Sequence, residues 1–90
     1  MNNTHQIFLI SDSTGETLDR IFMALKAQFN NFNYELNQFS FTRTESQIST
    51  ILQSAKNEES PIILYTVVNS KLAKFLAEEA NKKNIPCFGV

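Results

Sequence analysis

One cysteine, one histidine, two glycines and two prolines are all that the 90 residues hold of those types, and each scarcity closes off a class of protein. A lone thiol, Cys87, forms neither an internal disulfide nor a cysteine-rich zinc site, and His5 has no second histidine with which to share a metal, so no metal site is expected. No serine stands at a suggestive spacing from a histidine base, which leaves a hydrolase triad without support. With so little Gly and Pro there is no flexible linker and no low-complexity tract. Neither G-x-x-x-x-G-K-[ST] nor G-x-G-x-x-G occurs, so the chain has no P-loop and no dinucleotide fingerprint. Long apolar runs are missing too. Residues 1–6 are polar without a basic n-region, the run Ile7-Phe8-Leu9-Ile10 is too short for a signal-peptide core, and nothing approaches the roughly 20 apolar residues of a membrane span. Eight basic against nine acidic residues give a net charge of −1. A field of that size attracts neither a nucleic-acid backbone nor an anionic membrane. The single cysteine and the absent leader fit a reducing, cytoplasmic compartment.

What is present is an alternation of strand and helix patterns, with no other internal repeat. Ile7-Phe8-Leu9-Ile10 is continuous and apolar, as in a strand buried on both faces. Leu18, Ile21, Phe22, Leu25 and Phe29 form one helical stripe, which Asn30-Asn31 breaks. Residues 34–41 read as a second strand in which Tyr34 and Leu36 share one face and Phe39 and Phe41 the other. That change of phase implies a bulge or two covered faces. Thr44 with Gln47 has capping-box spacing ahead of a helix burying Ile48, Ile51, Leu52 and Ala55. Pro61 opens a third strand through Val68, rich in β-branched residues. Asn69 or Ser70 can cap a third helix with Leu72, Phe75, Leu76 and Ala80 inside and Lys71, Lys74, Glu78 and Lys82 outside. A fourth strand begins over residues 85–90.

Such alternation implies an α/β fold, a three-layer βαβαβαβ parallel sheet with right-handed crossovers and strand order 2-1-3-4. Ninety residues make one small domain with a thin core, burying about 60% of the unfolded surface. The chain stops inside its fourth strand without a closing element, as the N-terminal part of a longer protein would. An unclosed sheet edge also makes a homodimer plausible.

In open parallel sheets ligands bind beyond the carboxyl ends of the strands, near a switch in strand order. The loop Ser11-Asp12-Ser13-Thr14-Gly15-Glu16-Thr17 falls at that edge and runs into the first helix. The helix N-terminus favours an anion. Gly15 allows close backbone approach, and the hydroxyls of Ser11, Ser13, Thr14 and Thr17 can donate to phosphate oxygens. Asp12 and Glu16 count against a bare phosphate unless a cation or donor-rich group shares the site. The plainer reading is that Ser13 or Thr14 caps the helix, Glu16 suits its first turn and Gly15 permits the turn. Arg43, after the second strand, lies at the same edge and can reach a phosphate or carboxylate near Thr14. Otherwise it is a solvated arginine. Thr66 and Asn69 reach that edge too, with Asn69 read as a cap. His5 reads as an exposed residue of the polar tail, Cys87 as a small buried hydrophobe, and Lys82 and Lys83 as solvated surface.

The opening string from Ile7 through Ser11-Asp12-Ser13-Thr14-Gly15-Glu16-Thr17 resembles the start of the pyruvate, phosphate dikinase regulatory proteins, among them the phosphoenolpyruvate synthase regulatory proteins. The stretch Ile63-Leu64-Tyr65-Thr66-Val67-Val68-Asn69 with its acidic–apolar helix, Arg43-Thr44, and Asn84-Ile85-Pro86-Cys87 are similar to later segments of that family. The resemblance spans essentially the whole chain. It implies a bifunctional parent enzyme that uses ADP to phosphorylate a threonine of the dikinase or synthase. The same parent uses inorganic phosphate to remove that group as pyrophosphate, with Mg²⁺ as the expected companion cation. It also implies that the nucleotide-binding P-loop lies in the C-terminal part of the longer protein. No catalytic residue is therefore assigned here, no cofactor is expected in this segment, and the segment alone is expected to be inactive.

Two other readings compete. A flavodoxin-like or other phosphate-binding module of flavodoxin/Rossmann-like fold also places a hydroxyl-rich, Gly-containing loop after its first strand. A flavodoxin would need a fifth strand and later aromatic loops. In the third reading the chain is a structural or interaction domain and the loop is a helix cap only.

Overall fold

The computed structural model describes residues 4–27 and 33–90. Phe29, the Asn30-Asn31 break and residues 1–3 of the polar tail lie outside the described residues. Strands and helices alternate as β1 (His5–Ser11), α1 (Glu16–Lys26), β2 (Tyr34–Phe39), α2 (Glu45–Lys56), β3 (Pro61–Thr66), α3 (Ser70–Lys82) and β4 (Cys87–Gly89). The four strands form one parallel sheet in the order β2-β1-β3-β4, the order the sequence implies.

That order dictates the layers. The step from β1 to β2 runs one way across the sheet, and the steps from β2 to β3 and from β3 to β4 run the other way. With right-handed crossovers, reversing direction reverses the face on which the helix lands. Accordingly α2 and α3 share one face. There Ile48, Ile51, Leu52, Leu72 and Leu76 pack on Phe8, Ile10 and Ile63. On the opposite face Leu18 and Phe22 of α1 pack on Ile7, Leu9 and Leu64. Successive residues of β1 thus serve opposite cores, which is why Ile7-Phe8-Leu9-Ile10 carries no polar alternation. The sheet is the middle layer of three, and the fold is α/β of the flavodoxin/Rossmann-like kind.

The helices are held by their ends as well as by their apolar faces. Thr44 caps α2 in a complete capping box, its side chain accepting from Gln47 N while the Gln47 side chain accepts from Thr44 N. Asn69 caps α3 by accepting from Leu72 N at 3.0 Å. At the far end of α3, Asn84 takes the left-handed conformation at φ 58°. Asn84 N donates to Asn81 O at 3.1 Å and Ile85 N to Ala80 O at 2.9 Å, the paired bonds of a Schellman motif. Ile85 is buried ahead of β4 rather than within it.

Three sequence-based expectations are corrected. First, β2 ends at Phe39, not Phe41, and pairs with β1 in unbroken register from Tyr34 to Phe39, so there is no bulge. The chain leaves the ladder because Phe41 N and Thr42 N turn to donate to Ser13 O and Ser11 O, each at 2.9 Å. Phe41 sits outside the strand at φ 54° and is exposed. The two-face coverage was read correctly for Tyr34, which packs on the α1 side, and for Phe39, which stacks on Phe8 on the other. Second, β3 stops at Thr66, leaving Val67 and Val68 in the following loop. Third, His5 is half-buried as the first residue of β1, because pairing with Tyr34 extends the strand back beyond its apolar run.

Candidate functional site

The switch in strand order falls between β1 and β3, so the loops following them meet at the carboxyl edge of the sheet, with the loop after β2 alongside. These three loops are sewn together by the residues singled out in the sequence. Ser11, the last residue of β1, is buried, and its Oγ accepts from Ser13 N at 3.1 Å while lying 3.3 Å from Ser13 Oγ. This is a local hydroxyl turn. The carbonyls of Ser11, Ser13 and Thr14 accept from Thr42 N, Phe41 N and Ser40 Oγ, each at 2.9 Å. The backbone of the first loop is thereby fixed against the second.

Asp12 bridges in both directions. Its Oδ2 accepts from Val68 N at 2.9 Å, and its N donates to Thr66 O at 3.4 Å, straddling the switch point to the loop after β3. Its carbonyl accepts from Arg43 Nε at 3.1 Å. The carboxylate that reads as a liability for phosphate binding in the sequence is therefore engaged with a backbone N–H. Arg43 is exposed, lies over the Phe41 ring at 5.2 Å, and among the described residues has no carboxylate at ion-pair distance.

Gly15 is the N-cap of α1, at φ 84°, and no side chain caps this helix. The expectation that Ser13 or Thr14 caps α1 is thus corrected. The helix starts at Glu16, one residue later than a Thr14 cap and two later than a Ser13 cap would set it, with Gly15 in the left-handed conformation at the N-cap. A Cβ at Gly15 would meet Ser40 Oγ at 3.5 Å and Ser11 Cβ at 3.7 Å. The left-handed φ, more than crowding, is what makes glycine suitable there. Glu16 and Asp19 in the first turn complement the helix dipole.

The structure therefore gathers Ser11, Asp12, Ser13, Thr14, Gly15 and Arg43 into one hydrogen-bonded rim. Thr17 stands exposed on the first turn of α1, outside that network. Chemically the rim offers donors in the hydroxyl of Thr14 and the guanidinium of Arg43, and the first turn of α1 beside it adds its uncapped N–H groups and the hydroxyl of Thr17. A depression of about 480 Å³ adjoins it, bounded by Ser40, Thr42, Ser46, Gln47 and Thr50 among others. Sequence reasoning missed Ser40 because it fell within the apparent strand over residues 34–41; Thr42 was placed just after that strand, at the same edge, but without a role of its own. The only available signal was that two hydroxyl residues flank Phe41.

Elsewhere, Cys87 packs at the margin of the α2–α3 core, and burial pushes its thiol up to about 11. Burial also raises Tyr65, with the neighbouring Cys87 charge adding to the effect. Lys82 and Lys83 pair with Glu79 at 3.0 Å and 3.7 Å, and the Lys82 hydrogen bond holds Glu79 below the ordinary carboxylate value. Among the described residues no group of three or more His, Cys, Asp or Glu gathers as a metal site would require, and no helix is long and apolar enough to cross a membrane.

A doubly wound parallel sheet with a donor-rich rim at its switch point defines an α/β protein of the flavodoxin/Rossmann-like kind. Residues 7–90 match the family described as Kinase/pyrophosphorylase, and the chain belongs to that family. It is 59% identical, over its whole length and 33% of the relative's, to a Pelagibacter ubique protein named "Putative pyruvate, phosphate dikinase regulatory protein". Proteins of the same name from Alkaliphilus oremlandii and Geotalea uraniireducens are 44% and 39% identical, each over 89% of this chain and 28% and 29% of their own lengths. The chain spans about a third of the length of these relatives.

Proposed function

We propose that this chain is the N-terminal domain of a bifunctional regulatory enzyme of the cytoplasm that acts on pyruvate, phosphate dikinase or phosphoenolpyruvate synthase. In the forward direction the parent transfers the β-phosphoryl group of ADP to a threonine hydroxyl of the target, breaking the α–β bridge to release AMP and the hydroxyl proton, and inactivates the target. In the reverse direction inorganic phosphate attacks the phosphothreonine, releasing pyrophosphate and restoring the hydroxyl. The observation that carries this reading is the family match across residues 7–90, together with relatives named as regulators of the dikinase.

Phosphoryl transfer rests on positioning and on neutralising charge, usually by a P-loop, a lysine and Mg²⁺. This segment has no P-loop sequence, so nucleotide binding belongs to the rest of the parent. The domain's own contribution is the rim. The uncapped start of α1, Thr14, Thr17 and Arg43 are suited to a phosphate oxygen of the substrate or of the phosphorylated target loop, while Ser11, Asp12, Ser13 and Gly15 shape the loop that presents them.

Pyrophosphate release is the direct test. The full-length parent, incubated with inorganic phosphate and threonine-phosphorylated target, releases pyrophosphate in step with loss of phosphothreonine. Release of inorganic phosphate alone, as a simple phosphatase would give, contradicts the proposal. The uncapped, donor-rich rim supports a second reading, a phosphate-binding α/β module without catalysis. It is favoured if the parent binds phosphate but turns over neither target.

A further inference from the structure

The two faces of the sheet are covered unequally. On one face α2 and α3 lie side by side, whereas on the other α1 stands alone. Beside α1 runs a groove of about 650 Å³ floored by Ile62 and Leu64 of β3, Phe88 of β4 and Val90 just after it, with Ile21 and Leu25 as one wall. Phe88, Val90 and Leu25 are 56%, 55% and 44% exposed. The one charged lining residue, Lys26, carries its ammonium over the Tyr34 ring at 5.3 Å and lends the groove its methylenes. Parallel sheets are ordinarily covered on both faces, and no described residue lies over this half.

Handedness narrows what can cover it. A further strand added beyond β4 by a right-handed crossover would place its connecting helix beside α2 and α3, on the wrong face. The groove is reached instead by a helix that follows the last strand and folds back alongside α1. The relatives are about three times as long as this chain, so such a helix has chain to come from. A second copy fits less well, because the ridge it would insert is the outer side of α1, which carries exposed Glu16 and Arg20.

From the bare half-face, the crossover rule and the extra length of the relatives, we infer that the groove is the seat of an amphipathic helix from the remaining part of the parent chain. This helix presents an uncharged apolar stripe to Leu64 and Phe88 and completes the third layer beside α1. The inference rests on the chain being a domain of a longer protein, as proposed above, but not on the phosphotransfer activity.

The test uses the full-length parent, without ADP or target, so that its outcome is independent of catalysis. Leu25→Cys and, as an exposed control on α1 away from the groove, Met23→Cys are labelled with a thiol reagent, and each site is read by peptide mass spectrometry. Met23 is 52% exposed and Leu25 44%, so both accommodate cysteine and would react similarly in an open groove. The expected result is labelling at position 25 at least tenfold slower than at position 23, unchanged on dilution. A photoreactive amino acid at position 25 then cross-links to a segment of the same chain outside residues 1–90. Equal labelling at the two positions overturns the inference. So does protection that disappears on dilution, which would make a second copy the occupant, or cross-linking confined to residues 1–90.

Discussion

Asp12 shows how a side chain's meaning depends on partners that the local sequence does not display. Among neighbouring hydroxyls it looks like a charge hostile to phosphate, yet its Oδ2 is taken by Val68 N, 56 positions away. That partnership exists only because the sheet order sets β3 next to β1. Asp12→Ala should therefore destabilise the protein, by about 1.5–3 kcal/mol for a hydrogen bond to a charged group and toward the low end at so open a site. Chemical denaturation checks this. Gly15→Ala should cost about 1–2 kcal/mol, since an L-residue is forced to a left-handed φ. The two raised groups, Cys87 and Tyr65, favour their protonated forms when folded. The Cys87 contribution to stability is thus fully present below a thiol's ordinary 9.0 and is lost as pH rises through about 11, while that of Tyr65 is fully present below its ordinary 10.0 and is lost above it. Denaturation midpoints followed across that interval should fall, and Cys87→Ala should flatten the fall.

At the level of elements, helix starts separate what was legible from what was not. Thr44 and Gln47 are three positions apart and sufficient for each other, so the cap of α2 could be read directly, as could Asn69 for α3. Thr44→Ala should lower stability by about 0.5–2 kcal/mol. The start of α1 was misread. Ser13 and Thr14 have the right chemistry for a cap, but the left-handed turn at Gly15 and the bond from Ser40 Oγ to the Thr14 carbonyl direct the chain otherwise. Thr14→Ala should consequently change stability by no more than about 0.5 kcal/mol, the range of a surface substitution. A loss of phosphotransfer in the parent carrying that variant would then reflect a lost contact rather than a lost fold. The end of β2 escaped sequence reading for a similar reason. Phe41 continues an apolar pattern, and only the competing acceptors Ser11 O and Ser13 O show why the strand stops first.

On the scale of the whole molecule, the architecture was the most legible feature. Strands and helices in strict alternation leave few topologies once crossovers are right-handed and connections short. Ile7 to Ile10 announced a strand between two layers. The bare half of the α1 face was not legible, since Leu25 reads as one more residue of an apolar stripe and its exposure depends on what fails to cover it.

The most direct measurement is phosphotransfer from ADP to the dikinase and to the synthase, with target phosphothreonine followed in parallel for the full-length parent and for residues 1–90 alone. The account predicts phosphothreonine on one of the two targets with the parent and none with residues 1–90. Transfer by residues 1–90 alone, or none by the parent to either target, would contradict it.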